Sequence, residues 1–239
     1  MRANLLVPGQ TIDLAKTARS PVLQAARLDD QKRLAVDWAN LCRYRQANQA
    51  LAADARPDVV FIGSSIVENW GEGDRTLIDG RRIIDRGIGG QTSPQTLVRF
   101  YSDVVALHPK VVHILVGTND IAGNTGPTSD YAIENNMRAM ADLAQANGIR
   151  VIFGSITPSR KIPWAPNANP SPRIMRLNTF LRGFARERGA IYADYYSALV
   201  DKEGGLRSDL GNDGVHPNTK GYAVMRPVAQ GAIDEAMRR

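Results

Sequence analysis

A serine, a histidine with a carboxylate three residues before it, and several N–H donors are spread over four short motifs of this 239-residue chain. The motifs are Gly63-Ser64-Ser65-Ile66, Gly87-Ile88-Gly89-Gly90, Gly117-Thr118-Asn119-Asp120 and Asp213-Gly214-Val215-His216. Acyl transfer needs a nucleophile, a base to take its proton, a carboxylate to orient that base, and donors aimed at the developing oxyanion. Ser65, His216 and Asp213 suit the first three roles. The N–H groups of Ser65 and Gly90 and the amide of Asn119 suit the last. The set comes from distant parts of the chain, so it can act only if the fold gathers it.

Asp213-x-x-His216 is the most specific local signal. Of the three histidines, His113 lies inside an apolar run and His108 precedes Pro109 at the end of a helical pattern. His216 sits instead in a Gly/Asn/Asp-rich loop with Pro217 behind it, a poor place for a packing histidine. A carboxylate at Asp213 can accept its Nδ1–H and leave Nε2 free as a base. Ser65 falls where a strand turns into a helical stretch, so its N–H belongs to a helix start with unpaired donors. Taken alone, that segment reads first as an ordinary N-cap. Gly87-Ile88-Gly89-Gly90 begins like a dinucleotide fingerprint, but Thr92 stands where the third glycine is needed; a tight turn that brings the Gly90 N–H close to a substrate is the other use of such glycines. Asn119 follows an apolar strand. Its amide can serve an oxyanion, a contact worth about 3–4 kcal/mol in the transition state, or close an Asx-turn. A metal held by Asp120 and Asp213 is the rival chemistry. No second histidine or carboxylate cluster accompanies that pair, so neither a metal nor a cofactor is expected.

These motifs need elements to hold them. Apolar runs at 58–62, 82–88, 111–116, 149–156 and 190–195 read as strands. Between them the apolar residues recur at helical spacing: Leu97, Phe100, Tyr101 and Val104, then Ile133, Met137, Met140 and Ala144, then Ile174, Leu177, Leu181 and Phe184. Helices are expected near 93–108, 129–147 and 172–188 and from Thr219 to the C-terminus. A further helix is expected over 25–53, with Leu34, Trp38, Leu41 and Tyr44 on one face. Alternating strands and helices imply a parallel sheet covered on both faces, with ligands at the C-terminal ends of its strands. Ser65, Gly90 and Asn119 all fall just past such ends.

The four blocks in this order resemble the SGNH (GDSL-type) hydrolase family, whose blocks carry Ser, Gly, Asn and His. The likeness runs from about Asp58 to the C-terminus. It implies an α/β three-layer sandwich with a five-stranded, mostly parallel sheet of flavodoxin-like architecture. It also implies Ser65 as nucleophile, Asp213 and His216 as the rest of a triad, and Ser65, Gly90 and Asn119 as the oxyanion hole. The family's first block usually reads Gly-Asp-Ser; here Ser64 takes the Asp position, which puts in question whatever that Asp does locally. The stretches Gly117–Pro127 and around Trp164 look like a bacterial lipase/acylhydrolase branch.

The expected function is therefore a serine esterase acting through an acyl-enzyme. Thioesterase or arylesterase activity of the same family and a non-catalytic glycan-binding domain are the alternatives. The segment Thr157–Pro172 holds five prolines and Trp164, which suggests a stiff roof over a small acyl pocket, with Trp70 and Trp164 as substrate contacts or packing residues. Short-chain esters with a polar, sugar-like alcohol are the expected substrates.

The rest of the sequence bounds the reading. Hydrophobic residues make up 43% of the chain, enough for one buried α/β core. Residues 1–24 read as an arm on a single domain of 25–239. No apolar run approaches the ~20 residues of a membrane span, and the basic start at Met1-Arg2 is too short of apolar residues to be a signal peptide. A cytoplasmic protein is the default expectation unless a leader precedes Met1. The net charge of +6 comes mostly from dispersed arginines, without zinc-finger or RNA-binding spacing, so no nucleic-acid partner is expected. The lone Cys42 cannot form an intrachain disulfide and is expected to be a buried, inert thiol.

Overall fold

The structure is a computed structural model and describes residues 5–10, 12, 20–51, 56–73 and 82–239. Five strands, β1 (Val59–Gly63), β2 (Ile83–Gly87), β3 (Val111–Leu115), β4 (Arg150–Gly154) and β5 (Ile191–Ala193), form one sheet in the order β2-β1-β3-β4-β5. Every neighbouring pair is parallel. The chain therefore winds outward in both directions from β1, and the crevice between β1 and β3 is the point where ligands bind in such sheets.

Register explains how continuous apolar runs serve two faces. Val59 and Phe61 pair with Val111 and His113, and Val60 and Ile62 with Val112 and Ile114. Successive side chains point to opposite sides of the sheet. Val60, Ile62, Val112, Ile114, Val151 and Phe153 pack against the apolar stripes of three helices. We number the helices in chain order: α1 (Pro21–Val36), α2 (Arg45–Gln49), α3 (Ser65–Glu68), α4 (Trp70–Gly73), α5 (Ser93–Asp103), α6 (Thr118–Ala122), α7 (Asp130–Ala146), α8 (Pro170–Glu187), α9 (Tyr195–Leu199) and α10 (Thr219–Arg238). The first face is covered by α5, α7 and α8. The other, carrying Val59, Phe61, Val111 and Ile152, is covered by α10 and the short α3, α4 and α9.

Local chemistry starts these helices where the sequence predicts. A reciprocal Thr92/Gln95 capping box opens α5. The Ser129 hydroxyl accepts the Ala132 N–H at 3.1 Å to open α7. The Asn218 amide oxygen accepts the N–H groups of Lys220 and Gly221 at 2.9 and 3.1 Å to open α10. Pro170 and Pro172 lie in the first turn of α8, where a missing N–H costs nothing. The proline-rich connection is thus shorter than the sequence suggested, with Pro158, Pro163 and Pro166 outside the helix.

The expected helix over 25–53 is replaced by two pieces. Helix α1 stops at Asp37, whose carboxylate accepts the N–H groups of Leu41 and Cys42 at 2.8 and 3.0 Å. This local carboxylate–backbone competition outweighs helix propensity, and α2 follows only at Arg45. Trp38, Leu41 and Cys42 are consequently exposed rather than buried on one face, so Cys42 is not the packed thiol expected. Residues 52 and 53 of that helix, and much of the expected arm, lie outside the described residues. From the arm, Leu5 and Leu6 are buried, and the carbonyls of Leu5 and Val7 accept the Asn212 amide at 3.0 and 2.6 Å.

Gly63 ends β1 because nothing larger fits. A Cβ there would lie 2.0 Å from the Leu115 carbonyl oxygen and 2.7 Å from Val67. Gly63→Ala is expected to destabilise the protein by about 3 kcal/mol through overpacking. Gly183→Ala, on an open face inside α8 with nothing within 4 Å, should stabilise it by about 0.5–1 kcal/mol. Urea unfolding of both variants checks the pair; equal midpoints would contradict the packing described here.

Candidate active site

Three strand-to-helix turns and the loop before α10 carry the four motifs. Ser65 is the first residue of α3, directly after β1 and Ser64. Helix α10 braces this turn from behind, where the Tyr222 hydroxyl donates to the Ile66 carbonyl at 2.8 Å. The Ser65 hydroxyl lies 2.9 Å from His216 Nε2, and His216 Nδ1 lies 2.7 Å from Asp213 Oδ2. The other Asp213 oxygen accepts the N–H groups of Val215 and His216 at 2.9 and 2.8 Å. Burial alone would raise the Asp213 carboxyl, but its hydrogen bond to His216, the imidazole charge and these two backbone donors hold it below the usual carboxylate range. An ionised Asp213 keeps the proton on Nδ1, so Nε2 is free to accept the Ser65 hydroxyl proton.

The residues expected to donate to an oxyanion, Gly90 and Asn119, follow β2 and β3. Gly90 adopts φ +79°, a backbone state that favours glycine. Asn119 is buried in the first turn of α6. Its Nδ2 donates to the Gln91 carbonyl at 3.0 Å, and its second amide hydrogen is unengaged among the described residues.

His113 and Asp120 are engaged elsewhere. His113 is fully buried, its Nε2 lies 2.7 Å from the Tyr195 hydroxyl, and burial lowers its pKa to about 3. Asp120 does not face Asp213. Both its oxygens accept the Ser93 N–H, at 3.0 and 2.9 Å, and one accepts the Ser93 hydroxyl at 2.5 Å, which anchors the start of α5. Among the described residues, no group of three or more His, Cys, Asp or Glu side chains could hold a metal.

The two tryptophans part company. Trp70 is only 2% exposed, wedged among Phe61, His113, Tyr195 and Tyr222, so it is a core residue and not a substrate contact. Trp164 is 43% exposed with its ring 5.7 Å from the His216 ring. It stands at the mouth of the site. Beside the triad, a cleft of about 570 Å³ is lined by Arg160, Lys161, Pro163, Leu206, Asp213 and Gly214 among others.

Residues 61–224 match the GDSL-like Lipase/Acylhydrolase family. The chain belongs to that family. A GDSL-like lipase from Bacteroides thetaiotaomicron superposes with a TM-score of 0.79 at 37% identity, over 84% of this chain and all (100%) of that one. Among curated proteins, esterase TesA of Pseudomonas aeruginosa is 29% identical over 57% of this chain, and the match spans 61% of TesA's own length. Platelet-activating factor acetylhydrolase IB subunit alpha1 of Pongo abelii is 27% identical over 71% of this chain and 72% of that protein.

Within this GDSL family member, Ser64 at the first-block Asp position is buried, and a carboxylate lies four residues on. Glu68 Oε2 accepts the Gly89 N–H at 2.8 Å, and Oε1 faces Arg43 at 3.5 Å. A carboxylate from the nucleophile's own helix thus fixes the glycine loop. The sequence reading missed Glu68 because its position in α3 reads as a solvated helix residue. It also missed Asn124, which lies in a Gly123-Asn124-Thr125-Gly126 segment typical of loops. Asp213→Asn should lower kcat by about 10⁴ by stabilising the wrong imidazole tautomer, and Asn119→Ala by about 10²–10³. Incubation with EDTA should leave the wild-type rate unchanged. A rate that collapsed in EDTA and returned with a divalent cation would require a different chemistry.

Proposed function

We infer that this chain is a serine carboxylic-ester hydrolase that works through an acyl-enzyme on short-chain, acetyl-type esters of polar alcohols such as sugars. The observation that carries the reading is the unbroken relay from Ser65 Oγ through His216 to Asp213, at 2.9 and 2.7 Å. Ser65 Oγ forms a bond to the ester carbonyl carbon as its proton passes to His216 Nε2. The N–H groups of Ser65 and Gly90 and the Asn119 amide stabilise the resulting oxyanion. His216 then gives the proton to the departing alkoxide, and the acyl group stays on Ser65. Water adds to that acyl group with His216 again as base, which releases the acid and restores the serine.

The chain-length preference is supported by where the apolar residues of the motifs go. Ile66, Val67, Ile121, Ile156 and Val215 are all packed in the core. The rim is left to Gly89, Gly90, Asn124 and Trp164, and the neighbouring cleft to Arg160, Lys161, Pro163 and Leu206. The rim residues offer no aliphatic side chain to a long acyl chain, where each buried CH₂ would contribute about 0.8 kcal/mol. Loop residues Ile162 and Pro163 are held by the core and by proline geometry, so the roof is stiff rather than a mobile apolar lid. One relative's name, an acetylhydrolase, is in keeping with a small acyl group.

A 4-nitrophenyl ester series on wild type and Ser65→Ala tests both levels. Wild type should be most efficient in kcat/KM on acetate to butyrate and lose efficiency by decanoate, while Ser65→Ala should lose at least ~10³-fold. A kcat/KM that climbed steadily to decanoate would replace the small-pocket reading with a long-chain lipase. Equal rates for the two proteins would remove the esterase reading altogether and favour a binding domain.

A further inference from the structure

One exposed side chain touches every part of the site except the triad itself. Asn124, in the turn after α6, donates from Nδ2 to the Gly90 carbonyl at 2.9 Å and to the Asn119 side-chain oxygen at 3.0 Å. Its own Oδ1 accepts the Trp164 indole N–H at 3.1 Å. All the hydrogen-bonding capacity of the amide head that these distances describe is directed at functional elements. Two of its partners are the separate loops that supply the proposed oxyanion donors. The third is the tryptophan whose ring lies against His216.

We propose that Asn124 is the positioning residue of the oxyanion hole, and that through Trp164 it locks the proline-rich roof to that hole. The proposal rests on the esterase reading above. Its physical basis is the amide flip problem at Asn119. A side-chain amide rotated by 180° exchanges its N–H₂ for its oxygen, and an oxygen turned toward the oxyanion would repel it. A donor at Asn124 accepts only the orientation in which Asn119 Oδ1 faces Asn124, and the Gln91 carbonyl accepts only Asn119 Nδ2. Together they fix the remaining N–H of Asn119. At Gly90 the bond to the carbonyl holds the loop from one side while Glu68 holds the Gly89 N–H from the other. Gly90 itself offers no side chain to do this, and a Cβ built there would meet only Asn124 among the described residues, at 3.9 Å. The Trp164 bond gives the roof a fixed height above His216. A roof and an oxyanion hole that share one residue cannot drift apart.

The experiment uses the full chain with 4-nitrophenyl acetate, and rates are expressed per Ser65 labelled by a fluorophosphonate, so that misfolded protein is not counted. Asn124→Ala should lower kcat about 10–100-fold with KM changed less than ~3-fold, since the loss falls on the developing charge. Asn119→Ala, costly in wild type, should cost less than about tenfold more in the Asn124→Ala background, because coupled residues are not additive. Trp164→Phe keeps the ring and loses only the donor; it should lower kcat by a few-fold and leave the Asn119→Ala loss intact. Wild-type kcat per labelled site in Asn124→Ala, or losses at 119 and 124 that simply multiply, would overturn the proposal. If Asn124→Ala does not fold, Asn124→Asp carries the same two criteria, since it retains the size and the acceptor for Trp164 but has no donor for Gly90 or Asn119. Failure of the esterase reading looks different: Ser65 would take no label, and Ser65→Ala would hydrolyse the ester as fast as wild type.

Discussion

The structure around the site hangs on a buried cation. Arg99, from the middle of α5, is completely shielded from solvent. It donates to the Gly63 carbonyl at 3.0 Å, to the Gln91 side-chain oxygen at 2.6 Å and to Asp103 at 3.0 Å. Burial lowers its pKa and the Asp103 carboxylate beside it opposes that fall, so the guanidinium keeps its charge. Breaking one side of such a buried pair strands a charge, at about 3–5 kcal/mol. Geometry is what the arrangement secures. One planar fork sets the end of β1, one residue before Ser64, and the loop after Ile88. Gln91 extends its reach, because its carbonyl accepts Asn119 and its amide donates to the Ala39 carbonyl at 2.7 Å. Asp103 extends it further, since it accepts the Asn48 amide of α2 at 2.8 Å.

The site itself combines two kinds of support. Ser65, Gly90 and Asn119 sit on turns after β1, β2 and β3, where the sheet gives them fixed spacing. His216 comes from the loop between α9 and α10, and a loop has no such scaffold. It is pinned instead by bonds at short range: Asp213 to the Val215 and His216 N–H groups, the Gly211–Pro217 bridge, and the Asn218 cap of α10 with its amide also donating to the Asp209 carbonyl at 3.1 Å. A base delivered from outside the sheet crosses over the nucleophile rather than lying beside it, and this is how Ser65 and His216 meet across 151 positions of sequence.

What could be read from the sequence follows from this division. Strands ending in Gly63, Gly87 and Leu115, and helices with clean apolar stripes, were legible because periodicity and turn residues report them locally. So was the pairing of Asp213 with His216, three residues apart. The residues that link elements were not. Arg99 reads as a polar position on the stripe of α5, and its partners lie up to 36 residues away. Glu68 and Asn124 have ordinary local explanations, and their partners, backbone groups and side chains on other loops, carry no sequence signal. Trp70 was misread for the converse reason. It lies close to Ser65 in sequence, yet the turn of α3 directs it down into the aromatic cluster instead of up to the rim. The segment after Asp37 failed as a helix because a single carboxylate captured two N–H groups, and the Ala39 and Trp38 carbonyls were then needed by Gln91 and Gln95.

Identical side-chain types do opposite work here, and environment decides which. Asp120 closes one motif and Asp213 opens another, and sequence reading could assign the pair to a metal. Burial dominates at Asp120 and raises its pKa to about 6 against the pull of the Ser93 donors. At Asp213 the same burial is outweighed by the imidazole and two backbone N–H groups. The histidines divide likewise: His113, with only a tyrosine hydroxyl for company, is held neutral in the core, whereas His216 has an ionised carboxylate on one nitrogen and a hydroxyl on the other. A proton moving from Ser65 to His216 therefore creates an imidazolium beside an anion, where it is stabilised. The same transfer near His113 would place a cation in an aromatic pocket with no counter-charge. The partner that the fold places beside each titratable group therefore decides which histidine and which carboxylate can hold charge.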